Sequence, residues 1–126
     1  MTSEKILIEN NIKRTEGRTI VLNVLSKSKY LITAADIQKE YKNIDRITLY
    51  RTLQLFVQQQ LIERVADSNG TVYYGMKKNS EDVTIYFKCI NCNKVEAMTK
   101  IVLDKFKRKY VPEEYNFLVQ GTCKGC

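Results

Sequence analysis

The sequence predicts an α+β chain: a helical N-terminal half closed by a β-hairpin, then a smaller α/β half held together by cysteines. Three observations carry this. Apolar residues recur at helical spacing in Thr15–Ser26 and Arg46–Gln60; two β-prone runs flank the turn sequence Asp67-Ser-Asn-Gly70; and the four cysteines fall in two Cys-x-x-Cys pairs, Cys89/Cys92 and Cys123/Cys126. With 126 residues, 44% of them hydrophobic, the chain can bury a core, yet two lobes would each be thin.

Taken in order, Met1 to Asn11 alternates charge and aliphatics without the long apolar core of a signal peptide, and no stretch approaches transmembrane length. The expected compartment is therefore a reducing cytoplasm. Thr15 is a good N-cap for a first helix whose Ile20, Val21, Val24 and Leu25 face a core. Thr33-Ala-Ala-Asp36 reads as a capping-box start of a second helix reaching about Lys42, followed by a turn at Asn43. Asp45 caps a third helix, Arg46 to about Gln60, with Leu49, Leu53, Phe56 and Val57 as its buried stripe. Thr48, Tyr50, Arg51 and Gln54 are left pointing outward.

Two helices joined by a short turn, the second exposing hydroxyl, aromatic and guanidinium groups, form the pattern of a helix-turn-helix that enters the DNA major groove. Arg51 suits phosphate or a guanine edge, and Thr48 and Tyr50 offer hydroxyls and apolar surface to phosphates and thymine methyls. The same pattern also describes a solvated helix face. The runs Leu61–Val65 and Thr71–Gly75 around their turn form a hairpin directly behind that helix, the position of a wing, with Lys77 and Lys78 as candidate backbone contacts.

The formal charge of +7 favours a polyanionic partner, and it divides as +5 over residues 1–78 and +2 over residues 79–126. The basic excess lies in the half without cysteines. Two Cys-x-x-Cys turns supply the four thiolates of a closed tetrahedral zinc site, which stabilises but leaves no open position for catalysis. The intervening residues 93–122 are 30 in number, room for a strand and a helix. Disulfides or redox-active thiols are the alternatives to zinc. The chain contains no histidine, so an imidazole base is unavailable to a serine or cysteine nucleophile, and no His-x-Glu motif marks a catalytic zinc. An enzyme is thus the least expected class.

The order of these motifs resembles the ferric uptake regulator family of bacterial metal-dependent repressors over nearly the whole chain. Lys13-Arg-Thr-Glu-Gly-Arg18 precedes the first core helix, and Thr33-Ala-Ala-Asp-Ile37 opens the second. Ile47-Thr-Leu-Tyr-Arg-Thr-Leu53 looks like the family's recognition helix, and Leu61-Ile-Glu-Arg and Tyr73-Tyr74 follow. Cys89-Ile-Asn-Cys92-Asn-Lys-Val95 and Gly121-Thr-Cys-Lys-Gly-Cys126 complete the set. The resemblance implies a winged-helix DNA-binding domain over residues 1–80 and a dimerisation and zinc-binding domain over residues 81–126, with one structural zinc on Cys89, Cys92, Cys123 and Cys126. It further implies a homodimer reading an A·T-rich inverted repeat of double-stranded DNA. Tyr50 would contact bases, Thr48 and Arg51 would grip or read the duplex, and Lys13 and Arg18 would serve backbone or minor-groove contacts. Strands around 83–87 and 95–98, a helix of about 100–109 and a strand over 115–120 would form the dimer surface, with Ile85 and Phe87 alternating against Thr84 and Tyr86.

The chain also departs from that family. Thr84 and Tyr86 stand where sensing histidines are expected, as do Leu31 and Tyr115, and Gly75 replaces a ligand carboxylate. Scattered carboxylates such as Asp82 and Glu96 would form only a weak hard-ion site. Glu16-Gly17 stands where the family has proline and glutamine, which bears on how the first core helix begins. The expectation is a dimeric regulator, repressing by analogy, with structural zinc and without the usual sensing site. The alternatives are a zinc-stabilised protein- or RNA-interaction module and a thiol-based redox sensor.

Overall fold

The computed structural model describes residues 3–77, 83–101, 109 and 117–125. Its elements run α1 (Ser3–Glu9), α2 (Glu16–Lys27), α3 (Ala34–Glu40), α4 (Arg46–Gln58), β1 (Ile62–Ala66), β2 (Val72–Met76), β3 (Val83–Cys89), β4 (Val95–Ile101) and β5 (Leu118–Gly121). Lys78, Asp82, Tyr115, Cys126 and most of the helix expected from about Lys100 lie outside the described residues. That helix does not begin at Lys100, because β4 continues through Ile101.

Local chemistry starts the three helices where the sequence places them. Thr15 caps α2 by accepting from the Arg18 amide at 3.2 Å. Thr33 and Asp36 form a reciprocal capping box on α3, with bonds of 3.2 and 3.0 Å. Asp45 caps α4 by accepting from the Thr48 amide at 2.8 Å. Each cap satisfies backbone donors that the first helical turn leaves open.

The helix ends differ from expectation. Helix α3 stops at Glu40 because Tyr41 leaves the helical conformation and, with buried Ile44, turns toward the core. Helix α4 stops at Gln58 because Gln60 adopts a positive φ of 59°, letting the Leu61 amide return to the Phe56 carbonyl at 2.9 Å. This is a Schellman closure that seats buried Leu61 beside Phe56. Helix α1, which the alternating sequence did not announce, closes the same way at Asn11 and buries Leu7 completely.

One apolar cluster joins α1–α4 to the hairpin, centred on Val21, Leu22, Ile37, Leu49, Leu53 and Phe56, all fully buried. Burial of each such side chain contributes about 1.5–3 kcal/mol. Leu22 is fully buried while the expected Ile20 is only half-buried; Val57 packs half-buried against the cluster, and Thr52 is buried as well.

Strands β1 and β2 pair antiparallel in a two-stranded sheet. Their turn is closed by Asp67, whose Oδ1 accepts from the Asn69 and Thr71 amides at 2.9 Å each, and by Gly70 at φ 82°. The second sheet has the order β4-β3-β5, with β3 antiparallel to β4 and parallel to β5. An irregularity between Ile85 and Tyr86 leaves Met98 of β4 outside the register; along β3, Tyr86 is buried while Ile85 and Phe87 are only half-buried. A second apolar cluster, of Val65, Tyr73, Tyr86 and Val95 with Leu31 and Leu118 packed against it, lies between the two sheets.

Candidate nucleic-acid interface and metal centre

Because Asp45 caps α4 with its carboxylate, the first turn of that helix is held rigidly at the surface. Thr48 donates its hydroxyl to Asp45 Oδ2 at 2.7 Å, so its proton is engaged in the cap and its oxygen is left with acceptor lone pairs only. The Thr48 hydroxyl and amide hold the Asp45 carboxyl below its ordinary value. Tyr50 is 46% exposed, its ring 5.7 Å from the Arg46 guanidinium in a cation–π pair, and Arg51 is exposed. Ile47, 65% exposed, completes the face. Arg46 and Ile47 were missed in the sequence; their signal was position, since both precede Leu49, where the buried stripe begins.

The structure brings the segment before α2 to the same end of α4. A Cβ on Gly17 would lie 3.0 Å from the Thr48 methyl, so glycine lets the first turn of α2 approach α4. Arg18 donates to the Lys13 carbonyl at 2.6 Å, which joins Lys13 and Arg18 into one basic corner. A groove of about 610 Å³ lies between the start of α2 and the turn from α3 into α4, lined by Glu16, Ile20, Tyr41, Lys42 and Asp45. Gln54 and Lys77 are exposed, as expected.

The cysteine cluster is assembled by the sheet. Cys89 ends β3, the chain turns through Asn93 at φ 64°, and β5 runs parallel to β3 with Gly121 opposite Cys89. The Ile90 amide donates to the Gly121 carbonyl at 2.8 Å, which delivers Cys123 to the first pair. The Sγ atoms of Cys89, Cys92 and Cys123 lie within 4.8 Å of one another, those of Cys92 and Cys123 at 3.9 Å. Tetrahedral thiolates at a Zn–S length of about 2.3 Å are separated by about 3.8 Å, so the donor set fits zinc. A disulfide would need about 2.05 Å. Buried Cys89 Sγ accepts from the Cys92 and Cys123 amides at 3.4 and 3.3 Å, bonds that favour the thiolate. Lys94 is held above its ordinary value by the nearby Cys123 sulfur and then by Glu96. Among the described residues this is the one grouping of three cysteines or carboxylates close enough to hold a metal.

The positions expected to have lost metal ligands are filled differently. Leu31 packs directly over Gly75, where a Cβ would sit 2.9 Å from the Leu31 Cγ, and Tyr86 belongs to the apolar cluster. Glu96 is half-buried and 3.8 Å from Lys94. Beside them Lys88 Nζ donates to Asp67 Oδ2 at 2.7 Å, with side-chain exposures of 12% and 0%. Lys88 holds the Asp67 carboxyl below its ordinary value, and Asp67, with Tyr73, holds Lys88 above its own.

Residues 9–122 match the sequence model of the ferric uptake regulator family. The chain is 27% identical to a ferric uptake regulation protein of Staphylococcus epidermidis, over 97% of this chain and 91% of that protein. It is 26% identical to one of Campylobacter upsaliensis, over 94% and 78%. Among solved structures it resembles a zinc uptake regulator complexed with zinc and DNA, with a TM-score of 0.75, 19% identity and coverage of 98% and 89%. The Vibrio cholerae ferric uptake regulator has a TM-score of 0.71, 18% identity and coverage of 95% and 98%.

Proposed function

The chain belongs to the ferric uptake regulator family, whose members are transcription regulators rather than enzymes, and from that premise we propose a dimeric, DNA-binding repressor that reads an A·T-rich inverted repeat. The observation that carries this reading is the rigid start of α4, where Arg46, Ile47, Tyr50 and Arg51 stand exposed beside the Lys13–Arg18 corner. Residues 1–80 form the winged helix-turn-helix domain: α4 enters the major groove, Tyr50 and Ile47 meet thymine methyls, and Arg51 reaches a guanine edge or phosphate. Lys13 and Arg18 take the adjoining backbone or minor groove, and Thr48 contributes its oxygen rather than its proton.

Residues 81–126 form the dimerisation domain. Exposed Met98, Phe117 and Val119 on and beside the three-stranded sheet are the apolar surface that a second copy covers, which sets the two α4 helices about one duplex turn apart. Cys89, Cys92, Cys123 and Cys126 hold one structural zinc per chain, which crosslinks the sheet without an open coordination position. The usual sensing site is absent, its place taken by apolar packing around Leu31, Gly75 and Tyr86. The protein works in the cytoplasm, where the thiolates stay reduced; no helix among the described residues is long and apolar enough to cross a membrane.

The test is selection of duplexes from a randomised pool with the zinc-loaded protein, followed by titration of the recovered repeat. Tyr50→Ala and Arg51→Ala are each expected to weaken binding by about tenfold or more, and binding should fall steeply with salt. Recovery of no duplex, or binding by both variants as tight as that of the native chain, would overturn the reading.

A further inference from the structure

Between the helical unit and the C-terminal sheet, three polar links converge on a single rung of the sheet. Lys88 of β3 is paired with Val95 of β4 on one side and with Gln120 of β5 on the other. Each member of that rung grips the N-terminal unit. The Val95 carbonyl accepts from the Leu31 amide at 2.8 Å, Lys88 donates to Asp67 in the hairpin turn at 2.7 Å, and Gln120 Oε1 accepts from the Ser68 hydroxyl at 3.2 Å. The next rung, Cys89 with Gly121, carries the cysteine cluster.

The hairpin by itself cannot satisfy Asp67. Its Oδ1 is saturated by two turn amides, and its buried Oδ2 meets, among the described residues, the Lys88 ammonium and, at 3.4 Å, the Tyr73 hydroxyl. Rotation of the hairpin away from the sheet breaks this shielded ion pair, and removal of the cation with the sheet in place leaves a buried charge unpaired. The Lys88 ammonium also lies 5.4 Å from the Tyr73 ring centroid, which fixes its direction. Beneath the pair, Leu31 fills the space above Gly75 with no room for a Cβ, while the neighbouring Ile32 pairs with Tyr74 of β2. Leu31 and Ile32 therefore tie the loop to both sheets at once.

We propose that Asp67 and Lys88 are positioning residues of a metal-independent hinge clasp that fixes the helical unit against the C-terminal sheet in the orientation needed to bind a full operator. This deepens, and rests on, the reading of the chain as a dimeric DNA-binding regulator. The angle that sets the spacing of the two α4 helices is held by an ion pair, one rung of hydrogen bonds and an apolar plug. No sensed metal enters, and DNA binding is constitutive with respect to ferrous and manganous ions.

The experiment compares the native zinc-loaded protein with Lys88→Met, Asp67→Asn and Lys88→Arg. Each is titrated with the selected inverted repeat and with a duplex carrying one half-site, with and without added manganous or ferrous ions; zinc content and the X-ray scattering curve are recorded. The native affinity is expected to change by less than about twofold on adding either ion. Lys88→Met and Asp67→Asn are expected to lose about tenfold or more on the full repeat, with half-site binding and zinc content kept, a coupling of ordinary allosteric size. Lys88→Arg should restore most of the loss, which general destabilisation would not predict. Asp67→Asn keeps the acceptor for the turn amides and lies far from the cysteines in sequence, so it decides the matter if Lys88→Met loses zinc. The proposal is overturned if Asp67→Asn binds the full repeat as the native chain does, or if added metal raises native affinity tenfold. If the native chain binds neither duplex, the DNA reading fails, and the clasp is then judged by scattering alone: an unchanged Asp67→Asn curve overturns it and an expanded one upholds it.

Discussion

Around α4, fifteen buried residues from Leu7 to Tyr74 interlock in one apolar cluster, whereas the cluster at the foot of the three-stranded sheet has four, and the hairpin lends two of them, Val65 and Tyr73. Among the described residues the N-terminal half thus holds itself together by burial. The described C-terminal sheet carries instead the cysteine cluster at one end and the ion pair of Lys88 with Asp67. A lobe that buried few side chains would not offset its chain entropy by apolar area alone and would call for such a staple.

Loss of the staple gives the largest effect expected. Structural zinc supplies an apparent figure of about 10–16 kcal/mol in small zinc-binding peptides. Cys89→Ser should abolish zinc binding and strip hydrogen-exchange protection from β3, β4 and β5 while α2 and α4 keep theirs. Simultaneous loss of protection in both halves would break the comparison, since the two would then be one cooperative unit. Next in size, Phe56→Ala should cost about 3–5 kcal/mol in denaturant unfolding followed by helical circular dichroism, and should leave zinc stoichiometry unchanged.

Gly75→Ala probes the seam between the halves. Its Cβ would meet Leu31 Cγ at 2.9 Å, within the apolar cluster, and overpacking of this kind costs about 1–3 kcal/mol. Adding Leu31→Ala should recover part of the Gly75→Ala loss in a double-mutant cycle; strictly additive costs would show that the two side chains do not share that space. Smallest are the caps. Thr33→Ala should cost about 1 kcal/mol of thermal or denaturant stability. Asp45 adds a pH signature: its folded carboxyl lies below its ordinary value of 3.8, so its contribution is present above that value and is lost as pH falls through the lower folded one. Asp45→Asn should therefore flatten the acid limb of the stability curve.

Much of the helical half was legible because its signals are local. Thr15, Thr33 and Asp45 each act on an amide three residues away, a relation that residue type and spacing expose directly. The outward set Thr48, Tyr50, Arg51 and Gln54 followed from helical periodicity, although the engagement of the Thr48 proton by Asp45 did not. The stops of α3 and α4 were less legible, since Tyr41 turning inward and Gln60 at positive φ answer to the core rather than to a breaker residue. Helix α1 was missed because Leu7 has meaning only once α2 lies beneath it.

By itself the sequence determined the helix starts, the hairpin turn and the chemistry of the cysteine pairs, because each rests on groups a few bonds apart along the chain. Tertiary structure alone decided that β5 runs parallel to β3 and brings Cys123 to Cys89, and that Tyr86 faces inward against Val65, Tyr73 and Val95. It also decided that Asp67 meets Lys88 21 residues away. These depend on which strand edges meet and which charges are left buried together, and such free energies come into being only when distant segments are packed against each other.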